Sequence, residues 1–219
     1  EGPTFGGCFV EGMHDDGINI HGMFAAVAET VENSATVTIV PYFEESGKAG
    51  DTIEFFSGET GASLGSRALR QAVQLGSGDR AERAKTYHRG SGYGLLYRYE
   101  LDAPISLDKH DAAINLDLCG HGFAIRDCDF RAFRYRGMLL RTMDGVVENN
   151  RLFALRHERI VLQCDLYNEG PYPCNVTVRN NTVAKVRIIP FINSGRGISV
   201  WTHEHTIKTN TDHHRLHRA

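Results

Sequence analysis

A phrase that occurs three times narrows the folds open to this chain more than any other feature. Residues 124–130 (AIRDCDF), 146–152 (VVENNRL) and 177–183 (TVRNNTV) each carry an aliphatic residue, a charged or polar one and then a pair: Asp127/Cys128, Asn149/Asn150 and Asn180/Asn181. Each phrase is followed by a second run, RGMLLRT at 136–142, ERIVLQC at 158–164 and RGISVWT at 196–202, with a repeat length of about 22 residues and an expansion in the last copy. Short strands recurring at a fixed spacing cannot bury their apolar faces alone and are stabilised by stacking each copy on the previous one. The expected fold is all-β: a right-handed parallel β-helix whose asparagines form a hydrogen-bonded ladder along the axis.

The stretch DDGINIHG, residues 15–22, aligns with the second runs and carries the most chemistry. Adjacent carboxylates, Asp15 and Asp16, lead through Gly17 into the alternating Ile18-Asn19-Ile20-His21, closed by Gly22, which is how a turn feeds a half-buried strand. Alternation sends Ile18 and Ile20 to one face and Asn19 and His21 to the other. Asp16 shares the apolar parity, but an unpaired buried carboxylate costs on the order of several kcal/mol, so it belongs in the turn, before alternation begins. Stacked in rows, Ile18, Met138, Ile160 and Ile198 lie inside, as do Ile20, Leu140, Leu162 and Val200. His21, Arg141, Gln163 and Trp201 then share comparable outer positions. Such a stripe is either solvated surface or a saccharide groove, with Trp201 or a tyrosine stacking on a sugar ring and the polar groups bonding hydroxyls.

Four divisions are expected: a coil with the acidic motif at 1–37, a small β-barrel-like insertion at 38–108, further coils at 109–202 and a polar tail at 203–219. Residues 27–43 alternate and are rich in Val and Thr, and 52–56 read as a strand. GSRALRQAVQL reads as a one-sided strand or a short helix, and the glycine-punctuated stretch after it as a loop. The tail holds His203, His205, His213, His214 and His217, a cluster that reads as polar tail rather than metal site.

At 219 residues, with 41% hydrophobic and 23% charged, the chain can bury one sizeable core. A net charge of -3 supplies no basic field to concentrate nucleic acid or an anionic membrane, and no apolar run approaches the roughly 20 residues of a membrane helix. A neutral partner such as a carbohydrate fits better, and nothing calls for a cofactor. The five cysteines, Cys8, Cys119, Cys128, Cys164 and Cys174, include no CxxC pair. They read as buried thiols, or, in a secreted protein, Cys164 and Cys174 pair across the loop between them. The opening GPTFGGCF supplies no capping helix, so the chain is expected to be the C-terminal part of a longer stack.

DDGINIHG, GDTIEF, the RGMLL strand, GVVENNRL and the loop DLYNEGPYPCNVTVRNNT together resemble glycoside hydrolase family 110. That resemblance implies an exo-acting α-1,3-galactosidase, a right-handed β-helix with a β-barrel insertion, acting with inversion on blood-group-B-type galactosides. It implies that Asp15 and Asp16 supply catalytic carboxylates and that His21 and Glu169 belong to the sugar-binding shell; Asn19, Arg141, Gln163 and Trp201 join that shell through the outer face of the stack. The family pattern also implies an acid one coil upstream of the pair, for which this sequence has no position, which leaves the activity of this chain alone open; because the neighbouring Asp15 and Asp16 point in different directions, a third acid is expected to complete the set. A secreted or periplasmic setting follows from such a substrate.

Two other classes compete. A pectate-lyase-like enzyme requires Ca²⁺ and an Arg or Lys base, and no cluster of carboxylates suited to calcium stands in the sequence. A non-catalytic binding or adhesin module would show saccharide affinity without turnover.

Overall fold

The computed structural model describes residues 2–41, 47–77, 95–166, 168–185 and 197–201. Within them the chain makes four passes, each laying one short strand on each of three parallel sheets. The first pass is β1 (Thr4–Gly6), β2 (Phe9–Glu11) and β3 (Ile18–Val27). An antiparallel excursion follows, with β4 (Val31–Pro41), β5 (Thr52–Phe56), β6 (Ser63–Ser77), β7 (Leu95–Leu107) and β8 (Ala112–Asn115). The second pass is β9 (Ala124–Arg126), β10 (Asp129–Arg131) and β11 (Met138–Arg141), and the third is β12 (Val146–Glu148), β13 (Arg151–Phe153) and β14 (Ile160–Gln163). A two-residue strand, β15 (Glu169–Gly170), precedes the fourth pass of β16 (Thr177–Arg179), β17 (Thr182–Ala184) and β18 (Ile198–Trp201).

The corner between the first two sheets explains the repeated phrase. Asp127, Asn149 and Asn180 each take a positive φ, of 55°, 58° and 55°, and Gly7 stands at the same corner of the first pass at 63°. Asp and Asn tolerate this left-handed conformation because their short polar side chains bond locally. The residue after each corner points inward and forms a vertical ladder. Asn150 Oδ1 accepts from the Cys128 amide at 3.0 Å, and Asn181 Oδ1 accepts from both the amide and the Nδ2 of Asn150 at 2.9 Å. Asn150 Nδ2 also donates to the Ile125 carbonyl at 2.9 Å, and Asn181 Nδ2 to the Val147 carbonyl at 2.8 Å. A side chain 1% exposed is thus satisfied on every side.

The third sheet pairs as the apolar rows require. Ile18, Met138, Ile160 and Ile198 share one register row, and Ile20, Leu140, Leu162 and Val200 another. The first three members of each row are buried in a core with Phe123, Ile125, Phe130, Phe133 and Leu152. The expectation that Ile198 and Val200 also lie inside does not hold: they are 48% and 71% exposed, because β18 is the end strand of its sheet and no described strand stacks beyond it. The segments flanking β18, 186–196 and 202–219, lie outside the described residues, as do the histidine-rich tail and the stretch 78–94.

The boundary expected at residue 37 falls inside β4, because the change of partner occurs earlier, within β3 itself. His21 is the last β3 residue in register with β11, and Phe24 pairs antiparallel with Ile114 of β8. One unbroken strand serves both sheets, so no break in composition marks the switch. From there the pairings β3–β4, β4–β7, β7–β6, β6–β5, β5–β8 and β8–β3 close a ring around a second core that includes Val37, Ile39, Phe55, Leu69, Tyr99 and Leu101. The segment GSRALRQAVQL lies within β6, a strand rather than a helix. A third cluster, including Phe24, Phe56, Ile114, Cys119, Cys164 and Leu166, packs where the ring meets the stack. The Cys164–Cys174 bridge does not form: both thiols are free, Cys164 buried and Cys174 exposed.

Asn150→Ala should destabilise the protein by about 2–4 kcal/mol, because the Cys128 amide and the Ile125 carbonyl would lose their partner inside the core and each buried unsatisfied group costs about 1–3 kcal/mol. Urea unfolding followed by circular dichroism measures the loss, and a variant within about 0.5 kcal/mol of the parent would show that the ladder carries no stability.

Candidate functional site

The register that stacks the third sheet also stacks the turns that feed it. Gly17 donates its amide to the Arg136 carbonyl at 3.1 Å and Gly137 to the Glu158 carbonyl at 3.2 Å, so the vertical pairing extends below the strands. Asp15, Tyr135 and His157 therefore fall in one column and Asp16, Arg136 and Glu158 in the next. Gly17 is the only residue that fits its place, since a Cβ there would come within 2.1 Å of the Phe133 ring. The absence of a side chain lets the acidic pair sit directly against the stack.

Asp16 is gripped by the neighbouring pass. The Arg136 amide donates to its Oδ1 at 3.2 Å and the Arg136 guanidinium to its Oδ2 at 3.3 Å. Arg136 in turn lies over the Tyr135 ring, its Cζ 4.5 Å from the centroid, and Tyr135 meets His157 at 4.4 Å between ring centroids. Asp15 is exposed, and its Oδ1 accepts from the Asp16 amide at 2.9 Å, which tightens the turn.

Above the turn, Glu169 is the centre of a second group. β15 pairs antiparallel with β3, placing Glu169 opposite Met23 and Gly170 opposite Gly22. The Glu169 carboxylate then receives the Arg141 guanidinium, accepts from Asn19 Nδ2 at 3.4 Å and stands 3.8 Å from His21 Nε2. Gly22, opposite Gly170, leaves room for Cys119 on its other side, since a Cβ there would lie 2.5 Å from the Cys119 sulfur.

The electrostatics differ between the two groups. Burial raises the Asp16 carboxyl above its ordinary value more strongly than Arg136 lowers it, and Asp15 adds to the rise. Burial lowers the His21 imidazole, the Gly22 carbonyl raises it and Arg141 lowers it again, with a net fall. At neutral pH His21 therefore faces Glu169 as a neutral ring, and the 3.8 Å contact is polar rather than ionic. Burial also lowers the Arg141 guanidinium, against the opposing field of Asp165, Asp16 and Cys164. Its Nε has no hydrogen-bond partner among the described residues.

Of the residues read from the sequence, Asn19, His21, Arg141 and Glu169 converge. Asp15 and Asp16 lie at the entrance of the same strand. Gln163 and Trp201 extend the row from Arg141, and Gln163 pairs in register with Trp201, whose side chain lies outside the described residues. The neighbouring row runs from exposed Asn19 through Leu139, Val161 and Ser199, all three buried. Sequence reasoning passed over Arg136, Tyr135 and His157. Their signal was the alignment itself, since Arg136 precedes Met138 by the interval that separates Asp16 from Ile18.

No family model matches the chain. Curated relatives do, and they belong to one class of glycosidase. The chain is 26% identical over 189 residues to an alpha-1,3-galactosidase A of Bacteroides fragilis, covering 80% of this chain and 28% of that protein. It is 28% identical over 179 residues to an alpha-1,3-galactosidase B of Phocaeicola vulgatus, covering 78% of this chain and 28% of the relative, and 26% identical over 183 residues to an alpha-1,3-galactosidase A of Shewanella woodyi. The chain thus spans just over a quarter of the length of these relatives. It is a relative of the alpha-1,3-galactosidases, in agreement with the resemblance to glycoside hydrolase family 110 carried by its motifs.

Two measurements test the site. Glu169→Ala strands the buried Arg141 cation and should cost stability toward the lower end of the ~3–5 kcal/mol seen when one partner of a buried pair is removed, whereas Glu169→Gln, which keeps an acceptor, should cost less; equal losses in urea melts would contradict the pairing. For Asp16 the folded-state value is raised, so its contribution is fully present at pH below the ordinary value of 3.8 and is lost as pH rises through the folded value. The melting temperature of Asp16→Asn should accordingly gain on that of the parent between pH 3 and pH 7, and a difference that stays flat or falls across this window would contradict the burial argument.

Proposed function

We propose that this chain forms the sugar-binding face of a glycoside hydrolase that cleaves terminal α-1,3-linked galactose with inversion, on the scaffold of a right-handed parallel β-helix with a β-barrel insertion. The observation that carries the reading is the convergence of Asn19, His21 and Arg141 on the Glu169 carboxylate, one strand's length from the Asp15–Asp16 pair. The similarity to alpha-1,3-galactosidases supports the substrate class, terminal galactosides of glycans, and with it a secreted or periplasmic setting.

Asp16 takes part directly in bond cleavage. Inversion needs one carboxylic acid to protonate the leaving oxygen and a second carboxylate to activate water on the opposite face, about 6.5–9.5 Å away. The raised proton affinity of Asp16 suits the acid. Asp15, its exposed neighbour, binds the same sugar or helps hold the proton on Asp16, since two close carboxylates resist ionising together. Neutral His21, Asn19 and the Arg141–Glu169 pair offer donors and acceptors to sugar hydroxyls, and Gln163 and Trp201 continue that surface along the next two passes.

In the complete gene product acting on an α-1,3-linked galactoside, Asp16→Asn should lower kcat roughly 10²–10⁴-fold with folding preserved, whereas His21→Ala should raise KM and spare kcat. Proton NMR of the first-released sugar should show β-galactose. Turnover near the parent's in Asp16→Asn would remove this residue from the chemistry. Saccharide affinity without any turnover by the parent would instead identify a binding module.

A further inference from the structure

The inward ladder that carries Asn150 and Asn181 continues into the first two passes as a pair of cysteines. Cys8 follows the Gly7 corner as Cys128 follows the Asp127 corner, and the next residues, Phe9 and Asp129, are in register. The Cys8 amide points to the Cys128 sulfur at 3.4 Å. The two thiols are also oriented alike: each donates to the carbonyl two residues back, Cys8 to Gly6 at 3.7 Å and Cys128 to Arg126 at 3.1 Å. Neighbouring parallel strands lie about 4.7–4.9 Å apart, within the roughly 4.4–6.8 Å between Cα atoms that a disulfide spans. Both side chains enter the same ladder, so the link requires each thiol to turn from its carbonyl toward the other.

We propose that Cys8 and Cys128 are a disulfide-forming pair, a modification site at which a low-molecular-weight disulfide converts one rung of the ladder into a covalent link between the first and second passes. The half-exposed Cys8 attacks the reagent, forming a mixed disulfide and releasing one thiol. Cys128 then attacks the Cys8 sulfur and releases the second, so that both protein thiols are oxidised, the reagent's S–S bond is reduced to two thiols, and the two protons leave on them. Burial raises the Cys128 thiol, which makes it the slower, resolving member. The position of the link gives it structural weight. Cys8 and Cys128 are 120 residues apart in sequence, with the antiparallel ring between them, and the passes they join carry Asp16 and Arg136. A crosslink there closes a long loop in the unfolded chain.

The test incubates the complete gene product with oxidised glutathione, blocks remaining thiols with iodoacetamide under denaturing conditions and maps non-reduced peptides by mass spectrometry. A Cys8–Cys128 peptide pair lighter by two hydrogens is expected, together with a rise in Tm of roughly 5–15 °C that dithiothreitol reverses. Cys8→Ser and Cys128→Ser should each abolish the rise, while Cys174→Ser, at an exposed thiol elsewhere, should leave it unchanged. Alkylation of both Cys8 and Cys128 after oxidation, glutathione adducts without the crosslink, or a Tm rise that survives Cys8→Ser would each overturn the proposal.

Discussion

The parallel register between β3 and β11 is the constraint on which the rest of the molecule depends. These two strands are separated by more than a hundred residues, yet Ile18 meets Met138, Ile20 meets Leu140 and His21 meets Arg141. A slip of one residue would turn Ile18 and Ile20 out of the core and drive Asn19 and His21 into it. It would also part Asp16 from Arg136. Core packing, the corner ladder and the polar face are therefore consequences of a single alignment rather than three separate features.

Charge is buried where that alignment allows it to be answered. Arg141 is 6% exposed and would be intolerable alone, but β15 folds back against β3 and delivers Glu169 to it. Asp16 is answered by a guanidinium and a backbone amide from the next pass, and still retains a raised proton affinity because burial outweighs both. The outcome is a face on which one carboxylate is held toward its acid form, one imidazole is held neutral and one guanidinium is buried beside its carboxylate partner.

The antiparallel ring grows out of the same strand that bears the site. Beyond Gly22, β3 leaves the stack and pairs with β8 and β4, and the cluster of Phe24, Phe56, Cys119 and Cys164 cements the junction. The ring is thus not a passive insertion hung on a loop: it anchors the far end of the strand whose near end holds Asp15 and Asp16, and so restrains the site from both directions.

The amino-acid sequence by itself determined the all-β class, the repeat, the inward rows of aliphatic residues and the asparagine corners, because each depends on local alternation or on a residue's tolerance of positive φ. It also marked Asp16, Asn19, His21, Arg141 and Glu169 as polar residues on one strand face or in one loop. Only the tertiary structure decided that Glu169 is the point on which three of them converge, that Arg136 and not another cation grips Asp16, that Leu139 and Val161 are buried in the row beside Asn19, and that β3 belongs to two sheets at once. The physical reason is range: alternation and corner chemistry act between residues a few positions apart, whereas the partner of a buried charge is chosen by which distant segment the stack brings within reach.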